Sequence, residues 1–162
     1  MTDISYSTDN YIFSYRVAGI LIQGDKVLLQ KPTNTEEYAF PGGQIAFGET
    51  HEQSLRREFA EEIGVEIVTG ELKWVEENIF PWGDKTAQQI CFDYVVSLAD
   101  DSLIPLNGKF LSKEAGHHPL GDVIEFHWIP IDEVKNLKVY PKKAAELLKR
   151  LDEGIKHFVY QE

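Results

Sequence analysis

Residues 40–65, FPGGQIAFGETHEQSLRREFAEEIGV, decide the fold of this chain. The stretch opens on a Pro-Gly-Gly turn, passes another glycine at Gly48, and continues into a charged segment that stops at Gly64. Thr50 is a favourable N-cap, and Gln53 three residues later completes the pattern of a capping box. Gly64 suits the position that follows a helix C-terminus. The stretch therefore predicts a glycine-rich turn that leads directly into a helix.

Two faces of this predicted helix differ in chemistry. At about 100° per residue, one stripe is apolar and consists of Leu55, Phe59 and Ile63. A neighbouring arc is acidic and consists of Glu58, Glu61 and Glu62. Like charges at this spacing destabilise a helix by a few tenths of a kcal/mol each, so a bound cation would relieve them. Carboxylate oxygens suit Mg²⁺ or Mn²⁺, whereas a solvated acidic surface is the alternative interpretation.

The spacing of the whole stretch is more specific than the acidic arc. Gly43 is followed after five residues by Glu49, and after seven more by Arg57-Glu58-Phe59, then Glu61-Glu62 and Gly64-Val65. This pattern resembles the Nudix box at every defined position, and the chain is similar to Nudix hydrolases. The resemblance implies an α/β fold, namely an α/β/α sandwich with a mixed β-sheet and the box helix on one side.

The resemblance also implies roles for the residues of the box. The expected metal ligands are Glu58, Glu61 and Glu62, with a carbonyl oxygen of Gly42 or Gly43. The expected catalytic groups are Glu58, Arg57 and Glu61, with Glu58 as the first choice to orient or deprotonate the attacking water. Arg57 is expected to pair with Glu49 and hold the turn against the helix, although an i,i+4 pair with Glu61 is an alternative. The expected cofactor is Mg²⁺, for which Mn²⁺ can substitute.

Nudix enzymes often take a further acidic residue from the C-terminal half of the chain. Glu125 is our first choice as an additional metal ligand, because it alternates with the apolar residues Ile124, Phe126 and Trp128. Glu114 is the second choice, as a base in a mobile loop, although plain surface charge also explains it. Asp122, at the entry to the same strand, is a third candidate or a turn residue.

The implied substrate is a nucleoside diphosphate linked to another moiety. Candidates are ADP-ribose, sugar nucleotides, dinucleoside polyphosphates and nucleoside triphosphates. The residues that could contact it are Glu114, His117, His118 and Trp82. Trp82 belongs to the aromatic segment WVEENIFPWGD at 74–84, which core and hairpin packing explain equally well.

The flanking sequence predicts mostly strands. We expect a β-hairpin at 15–31, a second hairpin made of 72–80 and 86–98, and a strand at 123–128. Residues 1–14 are expected to form an irregular arm or a short edge strand, and 100–122 a long loop. Asp132 is expected to cap a short helix at 133–137, and Pro141 to begin a last helix that ends at Gly154. Trp128-Ile129-Pro130-Ile131-Asp132-Glu133 resembles the usual tail of the Nudix domain.

Composition limits the classes of function. A chain of 162 residues is expected to form a single domain, and a net charge of −11 opposes general binding of long nucleic acids. We see no apolar run near 18 residues and no signal peptide, so no membrane association is expected. Cys91, the one cysteine, excludes an internal disulfide and is expected in the core. These features predict a cytoplasmic protein, as a monomer or homodimer; His51, Glu52 and Arg56 are expected to be solvated.

Two other classes of protein are compatible with such a scaffold. A non-catalytic Nudix-like nucleotide sensor predicts lost box glutamates or an added DNA-binding module. An isomerase of isopentenyl diphosphate predicts a degraded box and a catalytic cysteine in the N-terminal half. The box of this chain has every glutamate, and Cys91 lies in a strand-like run. We therefore expect a metal-dependent pyrophosphohydrolase.

Overall fold

The computed structural model describes residues 1–114 and 123–162. Eleven strands run in chain order as β1 (Ser5–Ser7), β2 (Tyr11–Gln23), β3 (Lys26–Pro32), β4 (Glu37–Ala39), β5 (Gly42–Gln44), β6 (Ile67–Trp82), β7 (Lys85–Leu98), β8 (Lys109–Leu111), β9 (Ile124–Pro130), β10 (Lys138–Tyr140) and β11 (Lys156–Gln161). The helices in the described ranges are α1 (His51–Glu62), α2 (Ala144–Leu148) and a 3-10 helix at Ile131–Asn136.

The strands form one mixed sheet. Its main order is β10-β4-β3-β2-β7-β6-β11, with β1 and β5 paired to β2 and with β9 between β3 and β8. The two predicted hairpins are present as β2–β3 and β6–β7, both antiparallel. The pairs β2–β7, β6–β11 and β4–β10 are parallel. The sheet therefore joins segments that are far apart in sequence.

Each face of the sheet carries its own apolar core. Val17 and Leu28 pack on the face that α1 covers, together with Leu55, Phe59 and Ile63 of the predicted apolar stripe. Their strand neighbours belong to the opposite core, with Val134 of the 3-10 helix and Leu147 of α2: Ala18, Val27 and Leu29. Successive side chains of a strand point to opposite faces, so the two cores are the two sides of one sheet. The expected α/β/α arrangement around a mixed sheet is confirmed.

Helix α1 begins and ends where the sequence predicts. The Thr50 side chain accepts a hydrogen bond from the Gln53 backbone N–H, and the Gln53 side chain accepts one from the Thr50 N–H. Gly64 follows the helix with φ +77°, a left-handed conformation that glycine adopts without strain. The turn and the helix are thus fixed by local sequence alone.

The N-terminal arm and the long loop are more ordered than expected. Of the two forms expected for 1–14, the irregular arm is wrong, because β1 pairs with the first part of β2. The stretch 100–122 contains strand β8, which pairs with β9. The sequence of 109–111 is too short to show a strand period, and its partner gives it its conformation.

The C-terminal segment also differs from the prediction. Asp132 makes no capping hydrogen bond, because it lies inside the 3-10 helix, whose N-cap is Pro130. The last helix is only Ala144–Leu148, so Pro141 precedes it rather than starting it. Residues 156–161 form β11, a strand that alternates between half-buried and exposed side chains and pairs in parallel with β6. In the described ranges, no helix is long and apolar enough to cross a membrane.

The capping box gives a direct test of the helix boundary. Replacing Thr50 by Ala removes the acceptor for the Gln53 N–H, and we expect a loss of about 1 kcal/mol in the free energy of unfolding. For a protein of this size, that corresponds to a fall in Tm of ~2–4 °C, measurable by calorimetry. Thr50→Ser keeps the acceptor and is the control; an equal fall in both variants would contradict the capping role.

Candidate active site

Arg57 joins the turn before α1 to the helix. Its Nε and Nη2 donate to the two carboxylate oxygens of Glu49, at 2.7 and 2.9 Å, in a bidentate ion pair. Nη2 also donates to the Gln44 carbonyl at 3.0 Å, and Nη1 donates to Glu58 at 2.7 Å. The pair predicted between Arg57 and Glu49 is present. The alternative contact with Glu61 exists as well, at 3.3 Å, so one guanidinium binds both sides of the turn.

The glycines of the turn allow close packing that no other residue permits. A Cβ placed on Gly43 would lie 2.2 Å from the Glu58 carboxylate carbon, so this carboxylate rests directly against the Gly43 backbone. A Cβ placed on Gly42 would lie 2.1 Å from the Val17 carbonyl oxygen on β2. Both glycines belong to β5, which pairs antiparallel with β2. The sheet therefore brings the turn and the first acidic residue of the box into contact.

The box carboxylates have different electrostatic environments. Hydrogen bonds from Arg57 lower the pKa of Glu49. Burial raises the pKa of Glu58, although the neighbouring Arg57 opposes this. Burial also raises the pKa of Glu62 to about 8, and the negative charge of Glu58 adds to the effect. The positive charge of Arg16 on β2 opposes the rise in the pKa of both Glu58 and Glu62, so Arg16 lies near these glutamates although it is outside the motif.

These residues fit a bound divalent cation. Glu62 is half-buried, and among the described residues it forms no salt bridge, although Arg57 binds Glu49, Glu58 and Glu61. A buried carboxylate without a cationic partner is costly, and a metal ion is a normal way to compensate it. The donors are oxygens, which hard ions such as Mg²⁺ prefer. Glu58, Glu61 and Glu62 are thus the side chains that would hold the ion.

A family model described as the NUDIX domain matches residues 14–151, which include the turn, the acidic helix and most of the sheet. The chain belongs to the NUDIX family. It is a Nudix pyrophosphohydrolase, as the intact box indicated.

Characterised and uncharacterised relatives share most of the chain. A protein of Mycobacterium tuberculosis named "Putative 8-oxo-dGTP diphosphatase 2" is 27% identical over 125 residues, which cover 72% of this chain and 80% of that protein. The "Uncharacterized Nudix hydrolase YvcI" of Bacillus subtilis is 29% identical over 128 residues, covering 78% of this chain and 72% of the relative.

Solved structures agree with the Nudix fold. A NUDIX hydrolase from Nitrosomonas europaea superposes with a TM-score of 0.62 at 21% identity, covering 92% of this chain and 79% of that one. A UDP-X diphosphatase superposes with a TM-score of 0.60 at 20% identity, covering 94% of this chain and 68% of that one. At this level of identity the likeness concerns the fold alone.

The two acids expected from outside the box lie in different places. Glu125 binds His127 at 2.8 Å, Lys109 at 3.3 Å and Lys31 at 3.9 Å. Its strand neighbours Phe126 and Trp128 pack in the core with α1, so Glu125 lies on the opposite face of the sheet. The contacts of the described residues therefore do not bring Glu125 to the box glutamates, and its role as a ligand stays a prediction without geometric support.

Glu114, our second choice, is held close to the end of the box helix. The Ser112 hydroxyl and the Lys113 N–H both donate to the carbonyl oxygen of Glu62, at 3.0 and 2.8 Å. The charge of Glu114 contributes to the raised pKa of Glu62. Among the described residues of this loop, Glu114 thus lies near the box, and its role as a base stays a prediction.

The remaining predicted contacts are divided among several places. Trp82 lies at the tip of the β6–β7 hairpin, is 55% exposed, and meets Phe80 edge to face. Trp74 is buried against Phe40, so core packing explains that end of the aromatic segment. His117, His118 and Asp122 lie outside the described residues.

Of the three helix residues expected to be solvated, Glu52 and Arg56 are exposed, but His51 is not. The His51 ring is half-buried among aromatic side chains, with Nε2 hydrogen-bonded to Tyr15 and Nδ1 to Tyr94. Burial lowers the pKa of His51. The two tyrosines belong to β2 and β7, so the sequence of the helix alone does not predict this contact.

A second acidic cluster, which the sequence analysis missed, lies on the sheet. Glu76, Cys91 and Asp93 are buried, and each offers a ligand atom within 4.8 Å of the others. Cys91 is a core residue, as expected. The sequence contains a sign of this cluster in the runs WVEENIF and CFDYVV. Alternation along a strand places Glu76 on the same side as Trp74, and Asp93 on the same side as Cys91, so these acids are expected to face the core.

Gly43 offers a test of the packing between turn and helix. Gly43→Ala must displace the Glu58 carboxylate, so we expect kcat to fall by about 10-fold or more, since displacing a catalytic group by about 1 Å costs up to ~10²-fold. Steady-state hydrolysis assays measure this. Gly154→Ala is the control, because a Cβ there meets nothing within 4 Å. Equal kcat in both variants would show that the Gly43 contact is dispensable.

Glu62 gives a test based on stability in the absence of metal. Its folded-state pKa is raised from 4.5 to about 8, so the folded protein loses stability as pH rises through this window. Glu62→Gln removes the effect, and the metal-free variant should have a higher Tm than the wild type at pH 8 but an equal Tm near pH 4.5. Thermal unfolding in EDTA measures the difference. A Tm difference independent of pH would refute the burial of this charge.

Proposed function

We propose that this Nudix enzyme hydrolyses a phosphoanhydride bond in a small nucleoside diphosphate derivative, with Mg²⁺ as cofactor and Mn²⁺ as a substitute. The observation that supports the proposal best is Glu62, a half-buried carboxylate that forms no salt bridge among the described residues, beside Glu58 and Glu61. A divalent cation can compensate an acidic cluster of this kind, and a polyphosphate substrate can share that cation. The completeness of the box argues against the nucleotide-sensor alternative.

In this proposal the chain supplies positioning and proton transfer. When bound, the divalent ion neutralises charge on the phosphoryl oxygens and acidifies water. Glu58, Glu61, Glu62 and a carbonyl oxygen of Gly42 or Gly43 hold the ion. Arg57 fixes the Glu58 carboxylate through its hydrogen bond and fixes the turn through Glu49, so it is a positioning residue.

For the base we propose Glu114 ahead of Glu58, the first choice from the sequence. Glu58 accepts a hydrogen bond from Arg57 Nη1 at 2.7 Å, which reduces its capacity to accept a proton from water. Glu62 has no such partner among described residues, and its pKa is raised to about 8 in the metal-free protein. Glu62 is assigned to the ion in this proposal. Glu114 is the remaining candidate, because its N–H donates to the Ser112 hydroxyl that binds the Glu62 carbonyl and its charge acts on Glu62. We propose that it orients or deprotonates the water, ahead of Glu58.

The substrate class rests on the family and on charge. A relative is named as an 8-oxo-dGTP diphosphatase, so oxidised nucleoside triphosphates are included beside ADP-ribose and sugar nucleotides. The net charge of −11 opposes long-range attraction of a polyanion such as RNA. We further propose a single catalytic domain that acts in the cytoplasm as a monomer or homodimer, in keeping with its single cysteine.

The decisive experiment is a hydrolysis screen with identified products. Wild-type protein is assayed with Mg²⁺ and with Mn²⁺ against 8-oxo-dGTP, ADP-ribose, UDP-glucose, a dinucleoside tetraphosphate and capped RNA. We expect cleavage of a free nucleotide that stops in EDTA. Glu61→Gln and Glu62→Gln should each lower kcat by about 10²-fold, because each removes a group that stabilises charge.

Glu52→Gln is the matched control, because Glu52 is exposed on the same helix outside the acidic arc. Full activity in EDTA, or wild-type kcat in both arc variants, would refute metal-dependent catalysis by the box. Preferential cleavage of capped RNA over every free nucleotide would refute the substrate class.

The two acids outside the box are compared in a separate experiment. Glu114→Gln should lower kcat without changing the Mg²⁺ concentration that gives half activity, because a base acts on water rather than on the ion. Glu125→Gln should leave both quantities unchanged, since Glu125 is held by His127 and Lys109. A shift in Mg²⁺ dependence for Glu125→Gln would restore Glu125 as a ligand.

A further inference from the structure

The acidic cluster on β6 and β7 is built by strand register. Glu76 lies directly opposite Cys91 in the antiparallel pair, and Asp93 follows Cys91 by two residues, so it points to the same face. The three side chains belong to the face of the sheet opposite α1, because Cys91 packs in the core with Ala18 and Trp74. They therefore lie on the other face from the box helix, although the positive charge of Arg16 on β2, which pairs with Cys91, acts on this cluster as well as on Glu58 and Glu62.

The cluster has the geometry of a cation-binding site. The ligand atoms of Glu76, Cys91 and Asp93 all lie within 4.8 Å of one another. The Asn78 amide donates to Glu76 Oε2 at 2.8 Å, which holds one carboxylate in place. Asp93 is 1% exposed, and its Oδ2 has no hydrogen-bond partner. Among the described residues, no Lys, Arg or His forms a salt bridge with either acid.

Burial limits what can fill this position. Glu76 is 4% and Asp93 1% exposed, so a group as large as a nucleobase cannot reach them in this conformation. A metal ion is smaller than a water molecule and can be enclosed by its ligands. Buried acids are costly, and such groups are normally hydrogen-bonded, paired with a cation or bound to a metal. Glu76 and Asp93 hydrogen-bond to each other, which requires a shared proton, and the charge of Arg16 acts on both, but Asp93 Oδ2 is left without a partner.

We propose that Glu76, Cys91 and Asp93 form a binding site for a thiophilic divalent ion, with Zn²⁺ preferred. A thiolate with two carboxylates is a donor set that Zn²⁺ accepts, whereas Mg²⁺ demands oxygen ligands throughout. Binding releases the thiol proton and the proton that the two acids hold between them, so charge is balanced by loss of protons as the ion enters. The site crosslinks β6 to β7, and Asn78 acts as the outer partner that orients Glu76.

Co²⁺ absorption tests this site without any substrate. The full chain is freed of metal by a chelator and then incubated, or refolded, with Co²⁺ in the presence of excess Mg²⁺, which occupies the box. We expect a thiolate-to-cobalt charge-transfer band that saturates at about one equivalent and that Zn²⁺ abolishes. Because Cys91 is the sole cysteine of the sequence, such a band reports this cluster alone.

Variants assign the other two ligands. Glu76→Gln and Asp93→Asn should each weaken Co²⁺ binding by about tenfold or more, and Asn78→Ala by about tenfold. Glu77→Gln is the matched control, because it is the strand neighbour of Glu76 on the opposite face. Glu61→Gln, in the box, should leave the band unchanged.

Absence of the band from the wild-type chain after both incubation and refolding would overturn the proposal. The cluster would then be two carboxyl groups that share a proton beside a buried thiol. This outcome would leave the proposed pyrophosphohydrolase activity intact, because that activity depends on the box. Conversely, a band in a chain that hydrolyses none of the nucleotides would support the zinc site and refute the proposed function.

Discussion

The bidentate ion pair between Arg57 and Glu49 is the interaction on which the active site depends. A guanidinium offers donors in a rigid plane, and here that plane reaches two carboxylates and the Gln44 carbonyl of the turn. A lysine could bind one of these partners but not all of them in a fixed geometry. One side chain therefore links the turn, strand β5 and helix α1, and the Glu58 carboxylate lies against Gly43 without any bound ligand.

Burial makes ionised carboxylates of the site unfavourable, and a positively charged neighbour compensates this for some of them but not for all. Arg57 neutralises Glu49 and Glu58, whereas Glu62 is half-buried with a pKa raised to about 8. Folding the metal-free chain at neutral pH thus opposes ionisation of Glu62, and an ion that binds there recovers that free energy as affinity. In the proposed metal-bound enzyme, the lower stability of the metal-free chain would thus contribute to affinity for the ion.

Local sequence predicted the parts whose partners are close along the chain. The capping box, the apolar stripe and the pair between Arg57 and Glu49 all depend on residues within one turn or helix, so spacing alone specifies them. Strand β11 and the contacts of His51 depend on partners more distant in sequence, as does the buried cluster around Asp93. The prediction for Glu125 was limited in the same way. Alternation correctly placed Glu125 and Phe126 on opposite faces of the sheet, but it did not indicate which of the two faces α1 would cover.

The parallel pairing of β2 with β7 has a consequence for how this protein comes to be folded. Tyr11 pairs with Thr86 and Leu21 with Val96. Strand β2 therefore cannot complete its pairing until β7 has been synthesised, about 75 residues later. The segment between β2 and β7, which includes the box, must close as a loop before these two strands can pair. Until then the apolar run VAGILI of β2 pairs only with β3 and β5 at its two ends, so the incomplete sheet exposes apolar surface that favours aggregation.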